Sequence, residues 1–270
     1  MKNLFDISGK VVVVTGGLGV LGMNISKYLL SQNTTVVALD RVQEVGDEFV
    51  KEAKANGQKA GFFIVDVLNK ESLEDVRDKI VAQFGKIDVL LNAAGGNMDA
   101  ANIRPDQNVF DLSIDAMRKV VDLNLFGTVL PTQVFLENMV KNGQGVILNF
   151  SSMSSFRPLS RVCGYGMAKA AINSFTQFMS GELSAKFGNN FRVNAIAPGF
   201  FLTKQNKNLL TNPDGSLTER SHDIMRHTPF KRFGEPDELF GTIHYLISDA
   251  SKFVTGTVAV VDGGFNSFSI

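Results

Sequence analysis

The sequence predicts an α/β protein with a doubly wound parallel sheet. Short apolar runs rich in β-branched residues alternate along the chain with longer segments of helical periodicity. The runs are apolar on both faces, as strands are when helices cover both sides of a parallel sheet. With 270 residues, 44% of them hydrophobic, the chain can bury a sizeable core within one large domain. We therefore predict a single domain with a doubly wound α/β (Rossmann) fold that spans residues 1–270.

Strands and helices are predicted in strict alternation. The candidate strands are "KVVVVTG", "TTVVALD", "GFFIVD", "IDVLLNAAG", "GVILNFSS", "FRVNAIAPG" and "GTVAVVDGG". The helical segments begin near Val20 and continue with "EVGDEFVKEAKANG", "ESLEDVRDKIVAQFG", a long stretch near 113–141 and "YGMAKAAINSFTQFMSGELSAKFG". The segment 203–230 is polar and turn-rich at "NPDG", and it lies between two strands. We interpret it as an insertion that covers a site.

Composition and cysteine usage favour a small-molecule partner. The 27 basic and 27 acidic residues balance, so no global field recruits nucleic acid or an anionic membrane. Cys163 is the single cysteine and cannot form an internal disulfide, and "MKNLFDISGK" lacks the apolar run of a secretory signal. We expect a cytoplasmic protein. His222, His227 and His244 are separated along the chain and lack a close cysteine or carboxylate pattern, so no metal site is expected.

A glycine-rich loop, "TGGLGVLG" at residues 15–22, follows the first strand. Gly17, Gly19 and Gly22 match the G-x-G-x-x-G spacing directly before a helical segment. Bare backbone at such a loop can approach a pyrophosphate, whose charge the helix N-terminus favours. The alternative is a turn that only lets the strand and the helix pack closely.

An acidic residue, Asp40, closes the second strand, and it indicates which dinucleotide is bound. Its carboxylate can accept hydrogen bonds from an adenosine ribose and would repel a 2′-phosphate, which favours NAD over NADP. The neighbouring Arg41 could instead pair with that phosphate. A strand-ending carboxylate in water is the structural alternative.

Tyr165 and Lys169 form an i, i+4 pair on the helix after "GVILNFSS", so their side chains share one face. A phenol with a pKa of about 10 is a poor base at neutral pH, and a nearby ammonium favours its ionised form. Such a tyrosine could take a proton from an alcohol as hydride leaves, or return it to a carbonyl. Ser152 lies at the carboxyl end of a strand, where this fold opens its ligand crevice. Its hydroxyl could hold the reacting oxygen.

Together with further motifs, these residues make the chain similar to the short-chain dehydrogenase/reductase family from about Lys10 to about Phe265. The other matching motifs are Asp66 in "VDV", "NAAG" at 92–95, Asn124 in "DLNLFGT" and "PGFFLT" at 198–203. The resemblance implies an oxidoreductase that acts on CH–OH groups.

The resemblance also implies roles for individual residues. Tyr165 would donate or accept the proton, and Lys169 would bind the nicotinamide ribose and lower the tyrosine pKa. Ser152 would orient the substrate oxygen, and Asn124 would support a water chain to solvent. The cofactor would be lined by Gly16, Gly17, Gly19, Val20, Leu21, Asp40, Asp66, Val67, Asn92, Ala93, Gly95, Tyr165, Lys169, Pro198, Gly199, Phe201 and Thr203. Of these, Asp66 and Val67 would border the adenine and Thr203 the nicotinamide carboxamide. Asn124 and Asp66 could alternatively satisfy local backbone groups only.

The glycine loop departs from the family pattern at one position. The family has glycines at positions corresponding to 16, 20 and 22, and this chain has Val20. We expect Gly19 to take over the close approach to phosphate, which moves the backbone contact by one residue.

The predicted substrate loops are rich in arginine. Arg157 and Arg161 lie between Ser152 and Tyr165, and Arg104 follows the fourth strand. Guanidinium is the preferred partner of a carboxylate, so we expect a substrate that carries one. Gly96 and Asn97 would suit a hydroxylated ligand, and the predicted substrate-binding set is Gly96, Asn97, Ser152, Arg157, Arg161 and Tyr165. The arginines could alternatively be solvated or contact a subunit, and Phe156, Phe200 and Phe201 could line an apolar pocket.

Within the family, "NAAGGN", "DLNLFGTVLPTQVF", "SSMSSFRPLSRV" and "APGFFLTKQN" resemble the D-mannonate oxidoreductases, also called fructuronate reductases. That resemblance implies conversion of D-mannonate and NAD⁺ to D-fructuronate and NADH. Reduction of another keto sugar acid, such as 5-ketogluconate, is the first alternative. A non-catalytic NADH sensor would have no need of Ser152, Tyr165 and Lys169 together, and an epimerase or dehydratase would need a larger C-terminal region. The family resemblance also implies a homotetramer built through the long helices and the last strand.

Overall fold

The computed structural model describes residues 3–202 and 210–267. Within these residues, seven strands form one parallel sheet in the order β3-β2-β1-β4-β5-β6-β7. The strands are β1 Val11–Thr15, β2 Thr35–Asp40, β3 Lys59–Ile64, β4 Val89–Asn92, β5 Gly145–Phe150, β6 Phe191–Pro198 and β7 Val258–Val261. The predicted doubly wound α/β fold is thereby confirmed.

Helices connect successive strands, as a parallel sheet requires. Their bounds are α1 Val20–Ser31, α2 Gln43–Ala55, α3 Lys70–Phe84, α4 Ile114–Val121, α5 Gly127–Lys141, α6 Cys163–Phe187, α7 Glu219–His227 and α8 Phe240–Ile247. Local chemistry sets several of these ends. The Asn69 side chain caps α3 by accepting from Ser72 N–H at 2.8 Å, and Gly85 ends that helix with φ +83°.

Two apolar cores lie on opposite faces of the sheet because successive strand residues point to opposite sides. Val12 and Val14 pack with Ile25 of α1 and Leu246 of α8. On the other face, Val13 belongs to the core formed with α3, α5 and α6. Because both faces are covered, the strands are apolar on both sides, as the sequence indicates.

The long helical stretch predicted near 113–141 contains a wider turn. Helices α4 and α5 are joined by a π-helical segment, Asp122–Phe126, with Asn124 at its centre. The extra residue in this turn turns the Asn124 side chain toward the loop after β4, where its amide donates to Gly96 O at 2.7 Å. Apolar periodicity alone does not reveal such an insertion.

The described part of the predicted insertion contains both a turn and a helix. Asn212 N–H donates to Ser216 O at 2.7 Å around the "NPDG" turn. Helix α7 follows and buries Ile224 in a small cluster with Leu210 and Phe233. The segment therefore packs onto the strand-following loop at Phe200 and Leu202.

Candidate active site

Every loop that carries a predicted site residue leaves the carboxyl end of a strand, and all these ends meet at one edge of the parallel sheet. Strand order reverses direction between β1 and β4. A crevice opens at such a switch point in doubly wound sheets, and ligands bind there. The glycine loop after β1 and the "NAAGG" segment after β4 flank this crevice.

The conformation of the glycine loop lets backbone groups approach a ligand in the crevice. Gly16 has φ +61°, and a Cβ on Gly22 would lie 2.1 Å from Gly16 O. Both positions therefore require glycine. Gly19 is the N-cap of α1, and the N–H groups of Val20 and Leu21 have no acceptor within the described parts of the chain. These free donors at a helix N-terminus fit a pyrophosphate.

Asp40 is tied to the glycine loop. Its Oδ2 accepts from Leu18 N–H at 3.0 Å, and its Oδ1 accepts from Arg41 N–H at 2.8 Å. Each carboxylate oxygen keeps a further lone pair, so the group can still accept from ribose hydroxyls. Asp40 thus both fixes the loop and faces the place where an adenosine ribose fits.

Ser152 and Tyr165 meet at the end of β5. The Tyr165 hydroxyl hydrogen-bonds to the Ser152 side chain, and Ser152 Oγ also accepts from Ser154 N–H at 3.2 Å. Burial raises the pKa of Tyr165, and its hydrogen bond to Ser152 offsets part of that rise. The ligand-free phenol is therefore protonated at neutral pH.

Lys169 is buried one helical turn below Tyr165. Its Nζ donates to Phe150 O at 2.8 Å and lies 5.5 Å from the centre of the Tyr165 ring. Burial lowers the pKa of Lys169 to about 7. The structure thus brings together the three residues that the sequence nominates for proton transfer.

Asn124 fastens the loop after β4 to the π-helical segment. Its Oδ1 accepts from Gly96 N–H at 3.1 Å, and its Nδ2 donates to Gly96 O at 2.7 Å and to Val120 O at 2.8 Å. A side chain on Gly95 would meet Asn124 Oδ1 at 2.6 Å. The fully buried Asn124 therefore sets the position of the loop that borders the crevice.

Three more of the cofactor-lining residues predicted from the resemblance differ in exposure. Val67 and Asn92 have buried side chains, and Asn92 donates to Thr132 Oγ1 and Asn149 Oδ1, both at 2.9 Å. The Asp66 carboxylate is exposed at the end of β3 and accepts from Leu68 N–H at 2.9 Å. The side chain of Asn92 belongs to the core, so only its backbone is open to a ligand.

The remaining predicted contacts follow β4 and β6. Ala93 is partly buried after β4, and Asn97 is exposed and donates to Asn102 Oδ1 at 2.6 Å. Pro198 ends β6, Gly199 N–H donates to Val261 O, and Phe201 is buried. Thr203 lies outside the described residues.

Asn173 and its partners were missed by sequence reasoning. Ser151 Oγ donates to Asn173 Oδ1 at 2.5 Å, and Asn173 Nδ2 donates to Ser155 Oγ at 2.9 Å. These bonds join the loop of Ser152 to α6. Asn173 follows Lys169 by four residues, so the i, i+4 spacing that relates Tyr165 to Lys169 could have identified it.

The arginines of the predicted substrate loop have different surroundings. Arg157 Nη2 donates to Asn266 O at 2.7 Å, which ties this loop to the C-terminal turn. Arg161 is exposed, and Arg220 of α7 donates from Nη1 to Ser160 Oγ at 3.4 Å. Arg220 lies inside the predicted insertion and was not among the expected site residues.

Residues 3–202 and 210–267 contain no cluster of three His, Cys, Asp or Glu side chains placed to hold a metal ion. The same residues contain no helix that is both long enough and apolar enough to span a membrane.

Comparison with known proteins identifies the class. The sequence model of the short chain dehydrogenase family matches residues 10–214. The chain therefore belongs to this family, and it is an oxidoreductase that acts on CH–OH groups with a nicotinamide cofactor.

Particular relatives are similar over nearly the whole chain. An uncharacterised oxidoreductase of Bacillus subtilis (strain 168), UxuB, is 42% identical and covers 98% of this chain and 97% of its own length. A Haemophilus influenzae structure with bound NAD, provisionally named a D-mannonate oxidoreductase, is 38% identical with a TM-score of 0.91, covering 98% of this chain and 97% of that one. A gluconate 5-dehydrogenase of Burkholderia cenocepacia J2315, in complex with NADP and tartrate, is 27% identical with a TM-score of 0.86 and covers 98% of both chains.

Proposed function

We propose that the protein is an NAD(H)-dependent oxidoreductase that interconverts D-mannonate and D-fructuronate. The observation that carries the chemistry is the convergence of Ser152, Tyr165 and Lys169 at the carboxyl edge of the sheet. The likeness to the provisional D-mannonate oxidoreductase of Haemophilus influenzae supports the choice of substrate.

The residues of the crevice fit a nicotinamide dinucleotide. The free N–H groups of Val20 and Leu21 suit the pyrophosphate, and Asp40 suits an unphosphorylated ribose. The Haemophilus influenzae structure contains NAD, which supports NAD for this chain, whereas the Burkholderia cenocepacia structure contains NADP. The carboxylate of Asp40 would repel a 2′-phosphate, and we therefore assign NAD.

The bound nicotinamide would supply or accept the hydride at the carbinol carbon. In the reduction, the Tyr165 hydroxyl donates its proton to the carbonyl oxygen as the carbonyl carbon becomes a carbinol. Ser152 hydrogen-bonds to the same oxygen and orients it. Lys169, when protonated, stabilises the phenolate that remains. In the oxidation, Tyr165 phenolate takes the proton back.

Burial of Tyr165 keeps its phenol protonated at neutral pH. Because burial raises its pKa, the phenol is ready to donate a proton in the ligand-free site. Reduction of a ketone can therefore begin from this state, whereas oxidation first requires ionisation of the phenol.

The initial rate of NADH oxidation with D-fructuronate tests the proposal. We expect a saturable loss of NADH absorbance that is absent without substrate and absent in Tyr165→Phe. No loss with D-fructuronate, with NADH binding intact, would disprove the substrate assignment and leave the dehydrogenase chemistry in place.

A second candidate substrate is 5-ketogluconate, which would be reduced to gluconate. The likeness to a gluconate 5-dehydrogenase favours it, and both candidates are keto sugar acids. The same assay separates them: the substrate with the higher kcat/KM is the better assignment.

We also propose a homotetramer, which the exposed apolar residues support. Met167 and Phe178 are exposed on α6, and Phe126 is exposed beside α5. Phe253 is fully exposed before β7. Light scattering on the purified protein measures the mass, and a monomer would contradict the assembly. Cytoplasmic localisation stays a prediction that rests on the sequence.

A further inference from the structure

Two arginines from distant parts of the chain flank Ser160 beside the candidate active site. Arg161 follows Ser160 directly in the loop between β5 and α6, and Arg220 comes from the first turn of α7. Arg220 Nη1 lies 3.4 Å from Ser160 Oγ. Helix α7 therefore contacts the loop that ends at Val162, three residues before Tyr165.

Neither guanidinium is neutralised. In the described ranges 3–202 and 210–267, neither Arg161 nor Arg220 forms an ion pair. The carboxylate of Asp223, one turn further along α7, pairs with Arg226. Partial burial and the positive charge of Arg161 lower the pKa of Arg220, and the carboxylate of Asp223 offsets part of that fall. Two like charges are thus held close together where an anion would relieve their repulsion.

The backbone holds Arg161 at a fixed place. Arg161 is one of three non-glycine residues with positive φ in the described chain, at +75°. Its carbonyl accepts from Ile103 N–H at 3.1 Å, so the loop after β4 anchors it. A strained residue of this kind persists only when its surroundings hold it, and such residues are frequent at ligand sites.

Arg157 has a different partner. Its Nη2 donates to Asn266 O at 2.7 Å, and Asn266 N–H in turn donates to Asp262 Oδ2 at 2.7 Å. These contacts assign Arg157 to the attachment of the C-terminal turn. Within residues 3–202 and 210–267, the side chains of Arg161 and Arg220 make no such hydrogen bond to a backbone carbonyl.

We propose that Arg161 and Arg220 together bind the carboxylate of the substrate, which makes α7 a specificity element of the site. A guanidinium presents a fork of donors that matches a carboxylate, and two forks from different segments hold it in one orientation. The assignment rests on the proposed sugar-acid oxidoreductase function. The carboxylate, bound at this pair, positions the other end of the substrate against Ser152 and Tyr165.

The test replaces each arginine by glutamine, which removes the charge and keeps most of the length. Hydrogen bonds to charged groups contribute about 1.5–3 kcal/mol, so we expect KM for D-fructuronate to rise roughly tenfold to a hundredfold in Arg161→Gln and Arg220→Gln. The KM for NADH should stay within about twofold because the hydrogen bond of Arg220 goes to Ser160 and not to the nucleotide loop. The value of kcat/KM for D-fructose, the neutral sugar without the carboxylate, does not fall.

A matched variant separates charge from packing. Arg226→Gln removes an exposed arginine from the same helix. This variant should keep KM for D-fructuronate within about threefold, as surface changes do. Arg220→Lys restores the charge without the fork and should recover part of the affinity.

Thermal unfolding without substrate adds a readout that a structural role would change. Removal of one of two neighbouring like charges should leave Tm unchanged or raise it. A fall in Tm with equal rises in both KM values, or an unchanged KM for D-fructuronate in Arg220→Gln, would overturn the proposed clamp. Failure of the proposed function is distinguishable, because the wild-type enzyme itself would then not turn over D-fructuronate.

Discussion

The two ends of the candidate site are built in different ways. The nucleotide end comprises residues 16–22 and Asp40, and its contacts involve backbone groups. Leu18 N–H donates to Asp40, and a Cβ on Gly22 would lie 2.1 Å from Gly16 O. The substrate end comprises residues 152–161 and Arg220. Its contacts are made by side chains, as in the contact of Arg220 with Ser160. The contacts of the nucleotide end thus join neighbouring strands, whereas those of the substrate end join segments that are distant in the sequence.

This difference predicts that the two ends can be disabled separately. Lys169 lies between them, since its Nζ holds Phe150 O below the ring of Tyr165. Changes at the substrate end should alter turnover or substrate KM and leave NADH affinity intact. Changes at the nucleotide end should lower NADH affinity and leave turnover and substrate KM intact.

The largest effect is expected for Tyr165→Phe, which keeps the ring and removes the proton. General acid–base catalysis contributes about 10²- to 10⁴-fold, so kcat should fall by that factor. The dissociation constant for NADH, measured by fluorescence titration, should stay within about twofold. Because the nucleotide end is untouched, a large loss of NADH affinity would contradict the separation of the two ends.

Tyr28→Phe is the matched control for that variant. Its hydroxyl lies 2.8 Å from His244 Nδ1, away from the crevice. Loss of this hydrogen bond should cost about 1 kcal/mol of stability and leave kcat unchanged. Equal losses of kcat in both variants would refute a special role for Tyr165.

The second prediction concerns pH. Because burial raises the pKa of Tyr165, the phenol stays protonated through neutral pH, and the rate of ketone reduction should fall above about pH 7 only as far as Lys169 loses its ammonium form. The rate of alcohol oxidation needs the phenolate and should rise by about tenfold per pH unit below the pKa of Tyr165. Initial rates in both directions with saturating substrates provide the test, and a flat oxidation profile would contradict it.

Lys169→Met sharpens the pH experiment. The pKa of Lys169 is about 7 in the buried site, and formation of the phenolate would favour its ammonium form. We therefore expect Tyr165 and Lys169 to titrate as a pair once the phenolate forms. Removal of the amine should move the rise of the oxidation rate to higher pH, and an unchanged profile would show that the two groups are not coupled.

The third prediction concerns the nucleotide end. Asp40→Ala removes the acceptor for Leu18 N–H and the charge that disfavours a 2′-phosphate. Hydrogen bonds to charged groups contribute about 1.5–3 kcal/mol, so the dissociation constant for NADH should rise roughly tenfold. Discrimination against NADPH should fall, with kcat at saturating NADH changed by less than about threefold. Arg41→Ala is the control, and a greater loss for NADPH than for NADH would show that this arginine contacts the phosphate.

The contrast between the two ends also explains what the sequence could predict. The strands and helices could be predicted from apolar periodicity. The glycine loop and Asp40 follow neighbouring strands, so local sequence patterns were sufficient to predict them as well. The π-helical turn at Asn124 was missed because one inserted residue leaves the apolar pattern nearly unchanged. Arg220 was missed because its contact with Ser160 joins residues 60 positions apart. No local spacing encodes that contact.

The smallest effect is expected at Gly19, where the chain departs from the family pattern with Val20. A Cβ on Gly19 would lie 3.3 Å from Gly16 O, a close contact that small shifts can relieve. Gly19→Ala should therefore leave Tm nearly unchanged and raise the dissociation constant for NADH a few-fold, because the methyl group lies where we expect the phosphate to approach. Gly22→Ala is the structural counterpart, since its Cβ would lie 2.1 Å from Gly16 O and should lower Tm. If Gly19→Ala binds NADH as tightly as the wild-type protein does, the close approach belongs to another residue of the loop. The N–H groups of Val20 and Leu21 would then hold the phosphate without help from Gly19.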